Sequence, residues 1–173
     1  MKNSSSPGSS AFFKAVFAWV LLGLIGTSSL RGQTPLNDAN FFTARDLWFS
    51  DQALATATYG HIKDWNVTGV TDMQDAFKDK ATFDDNITAW DVSQVTNMGS
   101  MFDGASSFNQ PLSDWNTSSV NSMSHMFSDG SAFDQDIGGW DVSSVTTMEY
   151  MFWQASVFNQ DLVDWDTGNV SDM

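Results

Sequence analysis

The side chains with the clearest chemical capability are an Asp or Asn that directly follows a tryptophan at five places. Carboxylate and amide oxygens are the ligands that Ca²⁺ prefers, so a repeated row of them is one way to build a calcium ladder. The same side chains also cap helices by accepting backbone N–H groups. The Gly-rich nonapeptide of calcium-binding β-rolls and the EF-hand loop are absent, which favours helix caps over calcium. The five residues are Asn66, Asp91, Asn116, Asp141 and Asp166.

Other groups that could carry catalytic chemistry are few and scattered. His61 and His125 are the two histidines, and neither has a second histidine in register with it, so we expect surface positions rather than a metal pair. Asp84 and Asp85 could supply the two carboxyl groups of a polysaccharide-cleaving site, but Gln110 occupies the next copy of the Asp85 position, which favours a structural role for the pair. The chain has no cysteine, which excludes disulfides and cysteine nucleophiles. We therefore predict a protein that is not an enzyme, with no catalytic, cofactor-binding or metal site.

A fixed 25-residue period places these side chains along the chain. Such a period is the signature of a solenoid, in which each repeat buries its apolar face against its neighbours. We expect the tryptophans to pack as an aromatic ladder rather than to form a sugar-stacking platform. We expect the methionines to fill the core rather than to line a binding groove. The repeated apolar residues are Trp65, Trp90, Trp115, Trp140 and Trp165; Val70, Val95, Val120, Val145 and Val170; Met73, Met98, Met123, Met148 and Met173; Phe77, Phe102, Phe127 and Phe152; and Phe83, Phe108, Phe133 and Phe158.

Each repeat also contains two shorter periodicities that predict its secondary structure. Apolar residues from Val95 to Ala105 recur on one helical face, which predicts a short helix that Ser93 can cap. Residues 108–112 alternate as in a short strand that stacks into one parallel sheet, although Pro111 removes a donor from it. The predicted fold class is an α/β, leucine-rich-repeat-like solenoid of 25-residue coils, each with a short strand and a short helix. The counterparts of this strand are residues 83–87, 133–137 and 158–162.

Three regions follow one another along the chain. Residues 1–33 combine basic residues, an apolar run and small residues, which predicts a secretion signal peptide, with a signal anchor as the alternative. Residues 34–60 are predicted to form an N-terminal helical cap, and Asn37 or Asp38 is the expected N-cap of its first helix. Residues 61–173 are predicted to form the solenoid of 25-residue repeats. We expect the solenoid to be truncated in its last coil, because no second cap follows it.

The net charge is strongly negative and unevenly distributed. The whole chain carries −14, and from Thr34 onward four basic residues face 21 acidic ones, a formal charge of −17. Such a surface repels phosphate backbones and anionic lipids, so we expect neither nucleic acid binding nor membrane contact by the repeats. Glu149 is the only glutamate among the acids, and the preference for Asp fits short elements joined by tight turns.

One repeated phrase has the form Trp-Asp-Val-Ser-x-Val-Thr-x-Met-x-x-Met-Phe, followed by Ala-Ser-x-Phe-Asn-Gln, and residues 140–160 carry it most fully. The phrase resembles the repeat of BspA-like leucine-rich-repeat surface proteins, which also occurs in mycoplasma-type lipoprotein-associated surface proteins. The resemblance covers about residues 44–173 and includes the lead-in from Asp46 to Trp65. It implies a secreted or surface-displayed repeat protein, some relatives of which adhere to host or matrix proteins. It supplies no shared catalytic residues.

These observations predict a non-catalytic, monomeric protein that is secreted or held at the cell surface. Its expected function is adhesion to, or recognition of, a macromolecular partner, which is a protein or glycan ligand at the cell surface. A carbohydrate-binding module and a structural spacer that displays a further C-terminal domain are the alternatives. The candidate contact positions are those that vary between repeats outside the core. They include Gln94, Gly99, Ser119, Ser124, Ser144 and Glu149.

Overall fold

The computed structural model describes residues 34–173, and the predicted signal peptide lies outside the described residues. Helix α1 spans Phe41–Ser50 and helix α2 spans Gln52–Tyr59, and a short 3-10 helix, Ile62–Asp64, follows them. No further helix and no strand is present among the described residues. None of the helices in this part of the chain is long and apolar enough to span a membrane.

The predicted α/β, leucine-rich-repeat-like solenoid with a strand and a helix in every coil is therefore wrong. Beyond the 3-10 helix, the described chain consists of turns, isolated bridges and segments without regular secondary structure. Regular β pairing is reduced to single parallel bridges between corresponding residues of successive repeats. These bridges link Asp72 to Asn97, Asn97 to Ser122, Ser122 to Thr147, and Thr147 to Asp172.

The predicted repeat helices are absent because left-handed residues interrupt each of those segments. Ser100 and Gly104 have φ angles of 53° and 70°, inside the segment where an apolar helical face was predicted. An α-helix cannot continue through a left-handed residue, since its backbone needs φ near −60° throughout. The same two positions are left-handed in the other repeats, at Asp75 and Asp79, His125 and Asp129, and Tyr150 and Gln154.

The backbone hydrogen bonds explain why tight turns replace these helices. The N–H groups of Met101 and Ala105 bond three residues back within their own repeat, at 3.1 and 2.9 Å. Alternate N–H groups instead cross to the next repeat, so the i to i−4 ladder of an α-helix never forms. The crossing bonds are Met98 N–H to Ser122 O, Ser100 N–H to Ser124 O, Phe102 N–H to Met126 O and Gly104 N–H to Ser128 O, at 2.8–2.9 Å.

The predicted strands are absent because side chains, rather than backbone carbonyls, link this part of the repeats. Asp84 Oδ1 accepts hydrogen bonds from Asn109 N–H and from Gln110 Nε2, both at 2.9 Å. One repeat later, Asn109 Oδ1 accepts from Asp134 N–H and Gln135 Nε2, at 3.1 and 2.9 Å. This Asp/Asn–Gln ladder satisfies the donors that a parallel sheet would otherwise use.

The repeated apolar residues from Trp65 to Met151 form one continuous core, as predicted, whereas those of the last repeats are only partly buried and Met173 is exposed. Trp65, Trp90, Trp115 and Trp140 are each 3% exposed, and the stacked rings of Trp115 and Trp140 lie 6.5 Å apart. Two phenylalanine columns also run through the repeats: Phe102 stacks on Phe127 at 5.5 Å and on Phe108 of its own repeat at 4.1 Å. The methionine positions from Met73 to Met126 are 0% exposed. Both the aromatic ladder and the core role of methionine are confirmed.

Helix α1 and the segment before it bond directly to the first repeat, and Arg45 Nη1 of α1 donates to Asp75 O and Ala76 O at 3.1 and 2.9 Å. Asn40, rather than the predicted Asn37 or Asp38, is the residue that precedes α1, and it makes no side-chain capping bond. Asp38 bonds to the repeat instead: its carboxylate accepts from Thr71 N–H and Thr71 Oγ1, both at 2.7 Å. These bonds lower the pKa of Asp38, the one from the Thr71 hydroxyl most strongly. Trp48 of α1 packs edge-on against Trp65 at 6.0 Å.

Candidate functional site

The Asp or Asn after each repeated tryptophan forms a tight turn instead of a helix cap. Asp141 Oδ1 accepts from Ser143 N–H at 3.0 Å and from Ser143 Oγ at 2.6 Å. The hydroxyl bond and then the backbone bond lower the pKa of Asp141, and Ser93 lowers that of Asp91 in the same way. This i to i+2 pattern is the Asx turn, in which a side chain binds the backbone that a helix would otherwise use.

These carboxylates do not converge on a common point that a cation could occupy. Within residues 34–173, no group of three Asp, Glu, His or Cys side chains is arranged to hold a metal ion. The row after the tryptophans is instead divided among separate turns, at Asn66, Asp91, Asn116, Asp141 and Asp166.

The remaining titratable candidates have structural partners. Asp84 belongs to the Asp/Asn–Gln ladder, and Asp85 Oδ2 accepts from Trp48 Nε1 at 2.8 Å. The two neighbouring carboxylates are thus bound to different elements. His61 is exposed, as predicted, and its Nδ1 accepts from Lys63 N–H at 3.3 Å, while His125 is half-buried rather than on the open surface.

The predicted contact positions fall into two columns with different surroundings. Gln94, Ser119 and Ser144 occupy the same place in successive repeats, and all three are exposed. In the second column Gly99 is buried, so the prediction that it faces a partner is wrong. The position is closed on both sides, since a Cβ at Gly99 would lie 3.2 Å from Asn97 Oδ1 of its own repeat and 3.5 Å from Ser122 Oγ of the next.

The other members of this second column are partly buried. Ser124 is half-buried and its Oγ lies 2.7 Å from Thr147 Oγ1, so its hydroxyl already has a partner within the stack. Glu149 is also half-buried. The exposed column of Gln94, Ser119 and Ser144 is therefore the part of the predicted contact surface that is open to solvent.

A groove across three repeats was not predicted, and we call it the lateral groove. Its cavity volume is about 410 Å³. It includes two large aromatic side chains, Tyr150 and Trp153, that are 53% and 50% exposed. One feature of the sequence pointed to an exposed aromatic residue here: Trp153 occupies the position at which earlier repeats have the polar residues Lys78, Asp103 and Ser128. The groove is lined by Asp103, His125, Ser128, Asp129, Tyr150 and Trp153.

The walls of the lateral groove are fixed by bonds between repeats. His125 N–H donates to Glu149 O and Asp129 N–H donates to Trp153 O, both at 2.8 Å. The His125 and Tyr150 rings lie 5.2 Å apart. At one end, Asp103 is already paired with Lys78 at 2.8 Å, and this contact raises the pKa of Lys78.

A second, more apolar cavity of about 570 Å³ lies beside the last repeats. Its apolar lining occupies positions that are covered by the next copy in earlier repeats, and the Tyr150 and Trp153 rings of the lateral groove line it as well. The lining residues are Met148, Tyr150, Met151, Phe152, Trp153, Leu162, Trp165, Thr167 and Met173. This cavity is therefore an open part of the repeat core rather than a separately built site.

The comparisons with known proteins identify a family without a known activity. No curated protein matches the chain, and no solved structure matches it. A family model described as "Mycoplasma protein of unknown function, DUF285" matches residues 48–141 and again residues 87–173. Together these matches include both α-helical and repeat residues and cover most of the chain. The chain therefore belongs to the DUF285 family of repeat-containing proteins.

Proposed function

We propose that this chain is an exported surface repeat protein that recognises a macromolecular partner without catalysing a reaction. The observation that supports the proposal is that repeated residues are used to build the fold, whereas some of the variable residues are exposed. The repeated residues are occupied by the fold itself: the tryptophan rings stack, and each repeated indole N–H donates to a backbone carbonyl. Some of the side chains that differ from repeat to repeat, such as Gln94, Ser119 and Ser144, are left at the surface for a partner.

Two features of the sequence support export and surface display. The phrase centred on Trp140–Met148 resembles that of BspA-like surface repeat proteins, which is a finer assignment than the DUF285 family. Residues 1–33 have the composition of a secretion signal, and everything after them is acidic and free of cysteine. An acidic, repetitive surface suits a partner that is contacted at many small points in register.

The experiment that tests this proposal has two stages. The chain is first expressed with residues 1–33 and, in parallel, without them, and we expect the first form alone to leave the cytoplasm. The exported, folded protein is then titrated onto immobilised matrix proteins and glycans, in Ca²⁺ and in chelator. We expect saturable protein binding that does not depend on Ca²⁺.

The other outcomes distinguish the alternatives. Saturable binding to glycans alone would favour a carbohydrate-binding module. This module would have to use surface side chains such as Trp153, because the repeated tryptophans from Trp65 to Trp140 are buried. Absence of binding on both panels, by protein with a cooperative unfolding transition, would overturn the proposal and favour a structural spacer.

A further inference from the structure

Three exposed asparagines are followed, two residues later, by a serine or threonine. In an exported chain the sequence Asn-x-Ser/Thr, with any middle residue except proline, is the acceptor for N-linked glycosylation, and the attached glycan needs a surface position. We propose that the chain carries N-linked glycans on Asn66, Asn86 and Asn116. This inference rests on the proposed export of the chain and assigns a covalent modification to its surface. The three acceptor sequences are Asn66-Val67-Thr68, Asn86-Ile87-Thr88 and Asn116-Thr117-Ser118.

The hydrogen bonds of these asparagines leave the nitrogen that would bear the glycan free. Asn66 Oδ1 accepts from Thr68 N–H at 3.2 Å and from Thr68 Oγ1 at 2.7 Å. Asn116 Oδ1 accepts from the N–H and Oγ of Ser118 at the same two distances, and the turn at Asn86 is closed by an Oδ1 bond of 3.0 Å. Within residues 34–173, none of the three Nδ2 atoms donates to another group. Glycosylation replaces one hydrogen of Nδ2 and keeps Oδ1 as an acceptor, so the turns are compatible with it.

The turns themselves require neither an asparagine nor a hydroxyl side chain. In later copies of the Asn86 turn, Asp136 accepts from Gly138 N–H at 2.9 Å, and Asp161 accepts from Val163 N–H at 3.1 Å. A carboxylate and a backbone N–H are therefore enough to close the turn. The combination of an amide with a hydroxyl at the third position goes beyond what the fold demands.

Two of the three acceptors lie beside the same groove. Asn86 and Asn116 line a cavity of about 490 Å³ together with the carboxylates of Asp91 and Asp114. Asn66 occupies the same position in its repeat as Asn116, two repeats earlier. With glycans attached, a macromolecular partner that approaches this groove meets saccharide rather than bare protein.

The covalent step transfers an oligosaccharide from a lipid diphosphate donor in the secretory pathway. A bond forms between Nδ2 and the anomeric carbon of the first sugar, and the bond from that carbon to the diphosphate oxygen breaks. The lipid diphosphate leaves and the amide loses one proton, so no oxidant or reductant is needed. A fourth sequence of the same form begins at Asn169, but its Nδ2 donates to Ser143 O of the previous repeat at 2.7 Å. We therefore do not count Asn169 among the acceptors.

The test examines the chain from the cells that produce it naturally. A glycosidase that hydrolyses the bond between glycan and Asn side chain leaves an Asp wherever a glycan was attached, and peptide mass spectrometry locates each conversion. We expect conversion at Asn66, Asn86 and Asn116. Asn109 and Asn121 are exposed but have no hydroxyl side chain two residues later, so they should remain unconverted.

Matched variants, produced with residues 1–33 in a eukaryotic secretory host, separate the glycan from the fold. Asn116→Asp introduces the residue that Asp91 and Asp141 supply to the same turn, and it should lose one glycan while remaining folded. Thr88→Val should also lose one glycan, whereas Thr88→Ser keeps the hydroxyl and should lose none. Asp91→Asn completes an acceptor sequence with Ser93 and should gain one glycan.

The results that would overturn the inference differ from those that would overturn the proposed function. Natural protein that is recovered outside the cytoplasm with all three asparagines unconverted would overturn the inference and leave export and recognition standing. Retention of the natural chain in the cytoplasm, without glycans, would overturn the inference and the proposed function together. An unchanged glycan content of both Asn116→Asp and Thr88→Val would also contradict the assignment of these acceptors.

Discussion

At the scale of single residues, the fold depends on side chains that are held at two points. Each repeated tryptophan stacks on at least one other and also donates its indole N–H to a carbonyl. Trp90 Nε1, for example, bonds to Ile62 O at 2.8 Å, 28 residues earlier. A 25-residue period is enough to predict that these rings lie in the core. It cannot identify the accepting carbonyl, because that contact depends on how one coil closes onto the previous one.

The carboxylates of the turns provide the prediction at this scale. Ser143 lowers the pKa of Asp141 below its ordinary value of 3.8, so the ionised form is favoured in the folded chain. Its contribution to stability is therefore present above pH 3.8 and is lost as the pH falls through the lower, folded pKa. We expect Asp141→Asn to be less stable than the unaltered chain near neutral pH and to approach it in acid. Urea midpoints measured between pH 7 and about pH 2.5 test this.

The control for this prediction separates the turn from the overall charge. Asp164→Asn removes an equal charge from a carboxylate that accepts no hydrogen bond within residues 34–173. The stability difference between the two variants should shrink on acidification. A difference that stays constant down to the lowest pH would show that the Asp141 turn has no ionisation-dependent role.

At the scale of elements, the sequence predicted which residues are inside but not which backbone structure carries them. The apolar spacing around Met98, Met101 and Phe102 correctly marks the core, and it is compatible with a helix and equally with two consecutive tight turns. The turns form because left-handed residues, most of which are not glycine, interrupt the segment. Gly104 is the one such residue in that repeat whose type signals the conformation, so the pattern misled the prediction.

The same limit applies to the predicted strands. Residues 108–112 do place Phe108 and Leu112 in the core, as an extended segment would. The link to the neighbouring repeat, however, is made by Asp, Asn and Gln side chains and not by a backbone ladder. Pro111, which lacks an N–H, was the residue that argued against a regular sheet rung.

The side-chain ladder gives the prediction at the scale of elements. Asn109 Oδ1 accepts from two groups of the next repeat, so Asn109→Ala should lower the free energy of unfolding by about 1–2 kcal/mol. Asn109→Asp keeps the acceptor but places a third carboxylate between Asp84 and Asp134. We therefore expect its loss to be smaller in high salt than in low salt. Salt-independent losses of equal size in both variants, measured by urea unfolding, would contradict the ladder.

At the scale of the whole molecule, negative charge is distributed among many separate turns. Because those carboxylates bind their own backbone and do not converge, we expect millimolar Ca²⁺ to shift Tm by less than about 2 °C. Thermal unfolding in CaCl₂, against NaCl of equal ionic strength, measures this. A rise of many degrees that a chelator abolishes would show that the Asp/Asn row binds calcium after all.

The lateral groove marks the limit of sequence-based prediction of the site. The 25-residue period identifies the positions that must lie in the core. For the other positions it shows only that the residue type changes from repeat to repeat. Whether variable side chains such as His125, Asp129 and Trp153 lie together depends on the left-handed turns that the sequence did not indicate. Three of the predicted contact positions are exposed, yet the groove with the largest exposed aromatic side chains lies in another column.

The central claim is that repeated residues build the molecule while variable residues serve recognition. The most direct measurement compares urea unfolding of Trp115→Ala and Trp153→Ala, which remove the same side chain from the two classes. Trp115 is 3% exposed, and its loss should cost about 3–5 kcal/mol. Trp153 is 50% exposed, and its loss should cost less than about 1 kcal/mol. Equal losses, or a loss below about 1 kcal/mol for Trp115→Ala, would contradict the claim.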